Sequence, residues 1–154
     1  SNKLKGRMKE MFTKEDIYLD IDAKDYLYLF KKMAKIFKQK KYVKDSYLEA
    51  LIAREKIYPT GFEFDGYNIA LPHIDSEHVL EQKIVLVRLK DEIQYREVVT
   101  NKKILVKIFI MMLVKNPEEQ VEVLGKLIEI INRKDFYNLV INAKYIEDLE
   151  KICI

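Results

Sequence analysis

Both histidines of the chain fall within residues 58–79, together with two of the three prolines and two of the four glycines. This segment reads YPTGFEFDGYNIALPHIDSEHV. Proline and glycine impose particular backbone shapes, and histidine is the side chain whose charge changes near neutral pH. Their concentration predicts a loop that seats one nucleophilic histidine, and the candidate is His73.

His73 follows a predicted short strand at 68–71 and Pro72, whose ring fixes the backbone, so the imidazole should point in one direction. A backbone carbonyl near the strand end can accept a hydrogen bond from one ring nitrogen, which leaves the other nitrogen as a neutral nucleophile. A structural or merely exposed histidine is the alternative, since a Pro-His pair by itself is not specific.

Upstream, Pro59, Thr60 and Gly61 predict a tight corner in which Gly61 can adopt a positive φ. The Thr60 hydroxyl and the backbone N–H groups of such a corner suit an anion. A plain turn with no ligand is the alternative.

Arg54 and Glu55 lie on a predicted helix at 45–57, where Arg54 flanks the apolar stripe and Glu55 falls within it. A charge that faces the core is costly unless it is paired or used. Two interpretations stay open: an Arg–Glu network that stabilises the helix end, or an arginine whose planar fork binds phosphate oxygens.

Two further polar residues are candidates for supporting His73. Gln120 lies in the first turn of a predicted helix at 117–131, where an amide could contact an anion or simply sit at the helix rim. His78 follows His73 by five residues, but a metal site made with Asp75 and Glu77 is rejected, because the spacing is unfavourable and no distant ligand completes it. We expect neither a metal nor a cofactor.

Composition excludes several functional classes. A net charge of +3 with scattered lysines gives no support for a nucleic-acid partner. The longest apolar run, 104–114, is about half a bilayer span and contains Lys107, and no leader opens the chain, so we expect no membrane insertion and no export. Cys153 is the single cysteine, which fits a cytoplasmic protein. Motifs for nucleotide loops and serine hydrolases are absent.

The elements that must position these residues alternate between strands and helices. Strands are predicted at 17–21, 68–71, 84–89, 93–98 and 104–114, and the last is expected to be central because it is apolar on both faces. Helices are predicted from a cap at Asp22, at 45–57, from a cap at Asn116 through 131 with an inward stripe, near 134–142 and near 145–152. The inward stripe comprises Val121, Leu124, Leu127, Ile128 and Ile131. This order predicts an α/β (α+β) sandwich, with one mixed β-sheet of about five strands flanked by helices.

The ordered set Arg54-Glu55, Pro59-Thr60-Gly61 and Ala70-Leu71-Pro72-His73, followed by VKIFIMMLVKNPEEQVEVLGKL at 106–127, resembles the IIA domain of the phosphoenolpyruvate-dependent sugar phosphotransferase system, fructose/mannitol-type family. PHIDSEHV and the segment around Gln120 resemble the galactitol-like branch. The resemblance starts near residue 12, and it implies one domain over 1–154 in which 1–11 is a poorly ordered or tag-derived start.

This resemblance implies that His73 accepts a phosphoryl group from the phosphohistidine of HPr and passes it to a IIB component, and thence to a sugar that enters through the membrane IIC component. Arg54 matches the arginine beside the active histidine, and Thr60 lies on the loop that shapes the pocket. Gln120 stands where mannitol-type members have a second histidine, which leaves His78 as a possible substitute. Phe62, Phe64 and Tyr67 are candidates for an apolar docking rim or for core filling. A regulatory protein of the same fold, in which phosphorylated His73 controls a partner, is the alternative function.

Overall fold

The computed structural model describes residues 11–153, which contain one five-stranded sheet. Its strands are β1 Ile17–Ile21, β2 Gly61–Phe64, β3 Tyr67–Ala70, β4 Lys83–Arg96 and β5 Lys103–Leu113. The α-helices are α1 Tyr26–Gln39, α2 Tyr47–Ile57, α3 Pro117–Ile131 and α4 Lys134–Asn142. A 3-10 helix, Ile146–Ile152, follows them. The expected irregular start, 1–11, lies outside the described residues apart from Met11.

The sheet is mixed, as predicted, with strand order β1-β4-β5-β3-β2. β4 pairs with β5 and β2 pairs with β3 in antiparallel fashion, whereas β1 runs parallel to β4 and β3 runs parallel to β5. The predicted sandwich of one sheet flanked by helices is confirmed. Among residues 11–153, no helix has the length and apolar character needed to cross a membrane.

β5 is the central strand, as its apolar sequence predicted, because helices cover the sheet on both faces. Ile108, Ile110 and Met112 join the core that contains α3 and α4. Phe109 and Met111 join the opposite core, which contains α1 and α2. β5 therefore contributes side chains to the cores on both faces of the sheet.

The two strands predicted at 84–89 and 93–98 are one strand, β4, so that prediction was wrong. Both parts pair with β5, and the register shifts between Arg88 and Ile93. An irregularity of this kind disturbs the pairing locally and bends the strand without ending it. The polar residues 90–92, which separate the two predicted strands, lie exposed within β4.

The predicted beginning of α1 was displaced by three residues. Asp25, not Asp22, is the N-cap, and its Oδ1 accepts a hydrogen bond from the Tyr28 N–H at 2.8 Å. α3 begins at Pro117 as predicted, but the Asn116 side chain forms no cap and instead donates to Glu119 Oε1 at 3.4 Å.

The inward face of α3 also differs from the predicted stripe. Leu127 and Ile131 of the predicted stripe are buried and Leu124 is half-buried, but Val121 is 79% exposed and Ile128 is 38% exposed. Val123 and Ile130, which were not in that stripe, are buried. Two overlapping apolar stripes run along this helix, and packing against the sheet selects the one that passes through Val123. As a result, Val121 faces solvent in the first turn of α3.

Candidate functional site

The carboxyl ends of β3 and β5 meet at one edge of the sheet because these strands are parallel neighbours. After β3 the chain continues through Pro72 to His73, which pairs with Met112 of β5 in an isolated bridge. The last turn of α2 leads to the Pro59–Gly61 corner at the same edge, since β2 begins there and Gly61 pairs with Ala70. This edge therefore gathers His73, the end of α2 and the corner.

His73 is half-buried, and its ring is held by the backbone of its own segment. Nδ1 lies 2.7 Å from the carbonyl oxygen of Leu71. A carbonyl oxygen can only accept, so the hydrogen bond requires the proton on Nδ1. In the neutral ring, Nε2 then carries the free lone pair.

Burial lowers the pKa of the His73 imidazole below its usual value of 6.5. The hydrogen bond to Leu71 opposes this effect, the positive charge of Arg54 lowers the pKa further, and the negative charge of Asp75 raises it. Because burial dominates, the ring is neutral at pH 7, and Nε2 is available as a nucleophile.

The Pro59–Gly61 corner is tied directly to the His73 segment, since the Leu71 N–H donates to the Thr60 carbonyl at 2.9 Å. Gly61 does not use the positive φ that was open to it: the described glycine with a positive φ is Gly66, at 84°. Glycine is required at 61 by close approach instead, because a Cβ there would lie 2.4 Å from the carbonyl oxygen of Arg96.

The hydroxyl of Thr60 points to a carboxylate and not to an open anion site. It donates to Oε1 of Glu55 at 2.6 Å, and both residues are buried. Burial raises the pKa of Glu55 to about 7, while the hydrogen bond from Thr60 and the charge of Arg54 lower it. Glu55 and Thr60 thus form a buried pair beneath the corner.

Arg54 lies at the surface side of this pair and is half-buried. Its Cζ stacks over the ring of Tyr58 at 5.2 Å from the ring centroid. Its Nε is buried and has no hydrogen-bond partner in the described part of the chain. A guanidinium whose charge acts on His73 and which keeps an unused donor is suited to bind an oxyanion.

Gln120 reaches the His73 segment from α3. Its Nε2 donates to the carbonyl oxygen of Ile74 at 2.8 Å, one residue beyond His73. The amide therefore anchors the loop that carries the imidazole to the first turn of α3, a contact that the sequence did not reveal.

The structure does not bring His78 to this group of residues. Its Nδ1 lies 2.8 Å from Ser46 Oγ, before the beginning of α2, and its Nε2 lies 3.5 Å from Glu77 Oε1. Ser46 is the N-cap residue at the beginning of α2, whereas Arg54 lies near its end, roughly 12 Å from Ser46 along the helix axis at 1.5 Å of rise per residue. Within residues 11–153 there is no group of three or more His, Cys, Asp or Glu residues that could hold a metal.

Tyr67 is buried, and Phe62 and Phe64 are half-buried and packed against the same core, which favours core filling over a docking rim. Their rings form a continuous stack that ends on Tyr137, and the Tyr67 hydroxyl donates to the carbonyl of Ile131 at 2.8 Å. The apolar side chains exposed near the site come from the helix ends instead. They are Ile57 at the end of α2, Tyr58 directly after it and Val121 in α3, exposed by 69%, 63% and 79%.

Comparison with known proteins gives a family match over residues 10–154, to the family described as phosphoenolpyruvate-dependent sugar phosphotransferase system, EIIA 2. The galactitol-specific EIIA components of Escherichia coli strains K12 and O157:H7 are each 29% identical over 99 residues, which is 64% of this chain. The chain spans 66% of the length of these curated relatives.

Three solved structures share the fold. The mannitol-specific cryptic enzyme IIA CmtB from Escherichia coli superposes with a TM-score of 0.75 at 16% identity, covering 95% of this chain and 97% of CmtB. The nitrogen regulatory protein IIA-Ntr from Neisseria meningitidis gives 0.73 at 22% identity, with coverage of 93% and 96%. Enzyme IIAMTL from Escherichia coli, solved in complex with phosphorylated enzyme IIBMTL, gives 0.72 at 19% identity, with coverage of 90% and 93%.

Proposed function

Because this chain belongs to the EIIA 2 family of the phosphoenolpyruvate-dependent sugar phosphotransferase system, we propose that it is a phosphocarrier that accepts a phosphoryl group on His73. The observation that carries this proposal is the hydrogen bond from His73 Nδ1 to the Leu71 carbonyl, which leaves Nε2 as the nucleophile. The reaction class is phosphoryl transfer through a phosphohistidine intermediate.

In this mechanism, Nε2 attacks the phosphorus of a phosphohistidine on the donor protein, and the P–N bond of the donor breaks as the new bond forms. Nδ1 keeps its proton, so positive charge develops on the ring and is stabilised by the Leu71 carbonyl. Arg54 supplies positive charge to the phosphoryl oxygens, whose negative charge is the main electrostatic demand of the transfer. Gln120 acts as a positioning residue through Ile74.

The chemistry requires two protein partners in turn, a donor and an acceptor. We assign HPr as the donor and a IIB component as the acceptor, with the membrane IIC component and a galactitol-like polyol beyond it, in the cytoplasm. Three observations support this assignment: the family, the galactitol-specific relatives, and the IIA–IIB complex among proteins of the same fold. Ile57, Tyr58 and Val121 give both partners an apolar surface beside the imidazole.

Incubation with phosphoenolpyruvate, enzyme I and HPr tests the proposal, with phosphohistidine detected by radiolabel and mass. We expect stoichiometric labelling of the wild type and of His78→Ala, and none of His73→Ala. Label that persists in His73→Ala would overturn the assignment. Onward transfer to a IIB component then separates the transport role from the regulatory alternative, in which His73 is labelled but no IIB component accepts the group.

A further inference from the structure

A continuous hydrogen-bonded path joins Glu55 to the imidazole of His73. The Thr60 hydroxyl donates to Glu55 Oε1 at 2.6 Å, the Leu71 N–H donates to the Thr60 carbonyl at 2.9 Å, and His73 Nδ1 donates to the Leu71 carbonyl at 2.7 Å. Successive hydrogen bonds in this path share one residue, first Thr60 and then Leu71. A carboxyl group buried beneath the corner is thereby connected to the ring that receives the phosphoryl group.

The polar atoms around Glu55 are not fully satisfied. Its Oε2, the Nε of Arg54, and the hydroxyls of Tyr47 and Tyr95 are buried and lack hydrogen-bond partners among the described residues. Tyr47 and Arg54 come from α2, while Tyr95 comes from β4. A protonated carboxyl at Glu55 would add the donor that these oxygens lack.

Glu55 also lines a cavity of about 560 Å³. The cavity lies between the beginning of α1, the end of α2 and the far ends of β4 and β5, and His73 does not line it. Its other charged or titratable lining residues are Lys24, Asp25, Tyr26, Lys56, Tyr95, Arg96 and Lys103. Solvent protons can therefore approach Glu55 through a cavity that is separate from the His73 imidazole.

We infer that Glu55 is a proton-coupled positioning residue for the proposed phosphoryl transfer: it takes up a proton from solvent as His73 is phosphorylated, and releases it when the group leaves. The inference rests on the proposed function. The P–N bond forms at Nε2 and the donor P–N bond breaks, while a proton passes from solvent in the cavity to the Glu55 carboxylate; both steps reverse when the group leaves. No other co-reactant is needed.

The coupling follows from charge. The incoming phosphoryl group carries negative charge. The charge of Arg54 acts on both Glu55 and His73, so an Arg54 that binds the phosphoryl oxygens stabilises the Glu55 carboxylate less. Both changes disfavour an ionised Glu55. Burial already holds the pKa of Glu55 at about 7, so a small further rise changes its protonation at neutral pH, which would not happen for an exposed carboxyl.

The test is a titration of the Glu55 carboxyl by 13C NMR in the full chain, before and after phosphorylation by phosphoenolpyruvate, enzyme I and HPr. Glu55→Gln assigns the signal, and the exposed Glu49→Gln on the same helix is the matched control. We expect a midpoint that rises by about one pH unit or more on phosphorylation. An unchanged midpoint, with label present on His73, overturns the inference. Absence of label on His73 would instead contradict the proposed function.

A kinetic readout separates this role from a merely structural one. Glu55→Gln keeps an oxygen that accepts from Thr60 but cannot titrate. We expect its transfer rate to lose the pH dependence around neutrality that the wild type and Glu49→Gln show. A Glu55→Gln profile that coincides with the wild type, at full labelling, would also overturn the inference.

Discussion

The imidazole Nδ1 of His73 donates to the carbonyl oxygen of Leu71, 2.7 Å away and only two residues earlier in the chain. The N–H of the same residue, Leu71, donates to the Thr60 carbonyl at 2.9 Å. One peptide segment thus fixes the tautomer of the ring and joins it to the corner after α2. The direct partner of the ring is a backbone carbonyl and not an ionisable side chain.

Burial of the His73 ring, which lowers its pKa, should set the acid side of the pH dependence of phosphoryl acceptance. The folded-state pKa of His73 lies below 6.5, so protonation of its Nε2 should halve the rate of acceptance only below pH 6.5. In Glu55→Gln, where position 55 cannot titrate, this should be the one fall in rate on the acid side. Protonation of Nε2 removes the nucleophile. Because the unfolded state binds this proton more readily, the stability contributed by burying neutral His73 is also lost as the pH falls.

NMR titration of the His73 Cε1 proton measures this midpoint directly, with His73→Ala as the assignment control. A midpoint above 6.5 in the unphosphorylated protein would contradict the structure, since it would mean that the ring is held as a cation.

Replacement of Arg54 should slow the transfer without unfolding the protein. Arg54→Gln removes the cation beside His73, and the loss of one such electrostatic contact typically lowers a rate by about 100-fold. Arg54→Lys should recover part of the rate, because it restores the charge but not the planar fork. Single-turnover labelling from phospho-HPr provides the measurement.

Arg133→Gln is the matched control for Arg54. Arg133 forms an exposed ion pair with Asp135 at 3.3 Å, away from the site, so its loss should leave the rate unchanged. Equal rates for Arg54→Gln and Arg133→Gln would assign Arg54 a structural role at the end of α2.

The buried Glu55 should destabilise the fold above neutral pH. Its pKa is about 7 when folded, against an ordinary value of 4.5, so the folded state keeps a proton that the unfolded state releases between these values. Stability therefore falls as the pH rises from 4.5 to 7, by about 3 kcal/mol at most. Glu55→Gln should be more stable than the wild type at pH 8 and no more stable at pH 4.5.

Urea unfolding at the two pH values measures this difference, and Glu49→Gln serves as the control because that carboxylate is exposed. A Glu55→Gln variant that is equally destabilised at both pH values would show that Glu55 is ionised and fully compensated when folded.

Local signals predicted the centre of the sheet and the seat of His73. The apolar run of β5 predicts a central strand in a sheet that is covered on both faces. The ring of Pro72 restricts the backbone just before His73, which is a local effect that the sequence alone reveals. The cap at Asp25 and the inward face of α3 were not predictable in the same way. Asp22 and Asp25 are equal candidates by type, and two apolar stripes compete on α3 until packing selects one.

The supporting contacts of the site depend on tertiary structure. The sequence placed Arg54, Glu55 and Thr60 near His73 through motif order, but it gave no sign that Thr60 donates to Glu55 or that Gln120 holds the Ile74 carbonyl. Contacts of this kind join segments that come from different elements. Spacing along the chain cannot reveal them.

Gly61 gives the sharpest test of the corner, because its requirement is steric. A Cβ at this position would lie 2.4 Å from the Arg96 carbonyl oxygen and 3.0 Å from Ile104 Cδ1, and the backbone atom cannot move without disturbing β4. Gly61→Ala should therefore destabilise the protein by about 3 kcal/mol, as overpacking does, and should displace Thr60 from Leu71. Gly125→Ala is the control, since a Cβ there meets nothing within 4 Å and should stabilise α3 by about 0.5–1 kcal/mol. Urea unfolding gives both free energies, and a Gly61→Ala variant as stable as the wild type would show that the corner is not held against β4 as described.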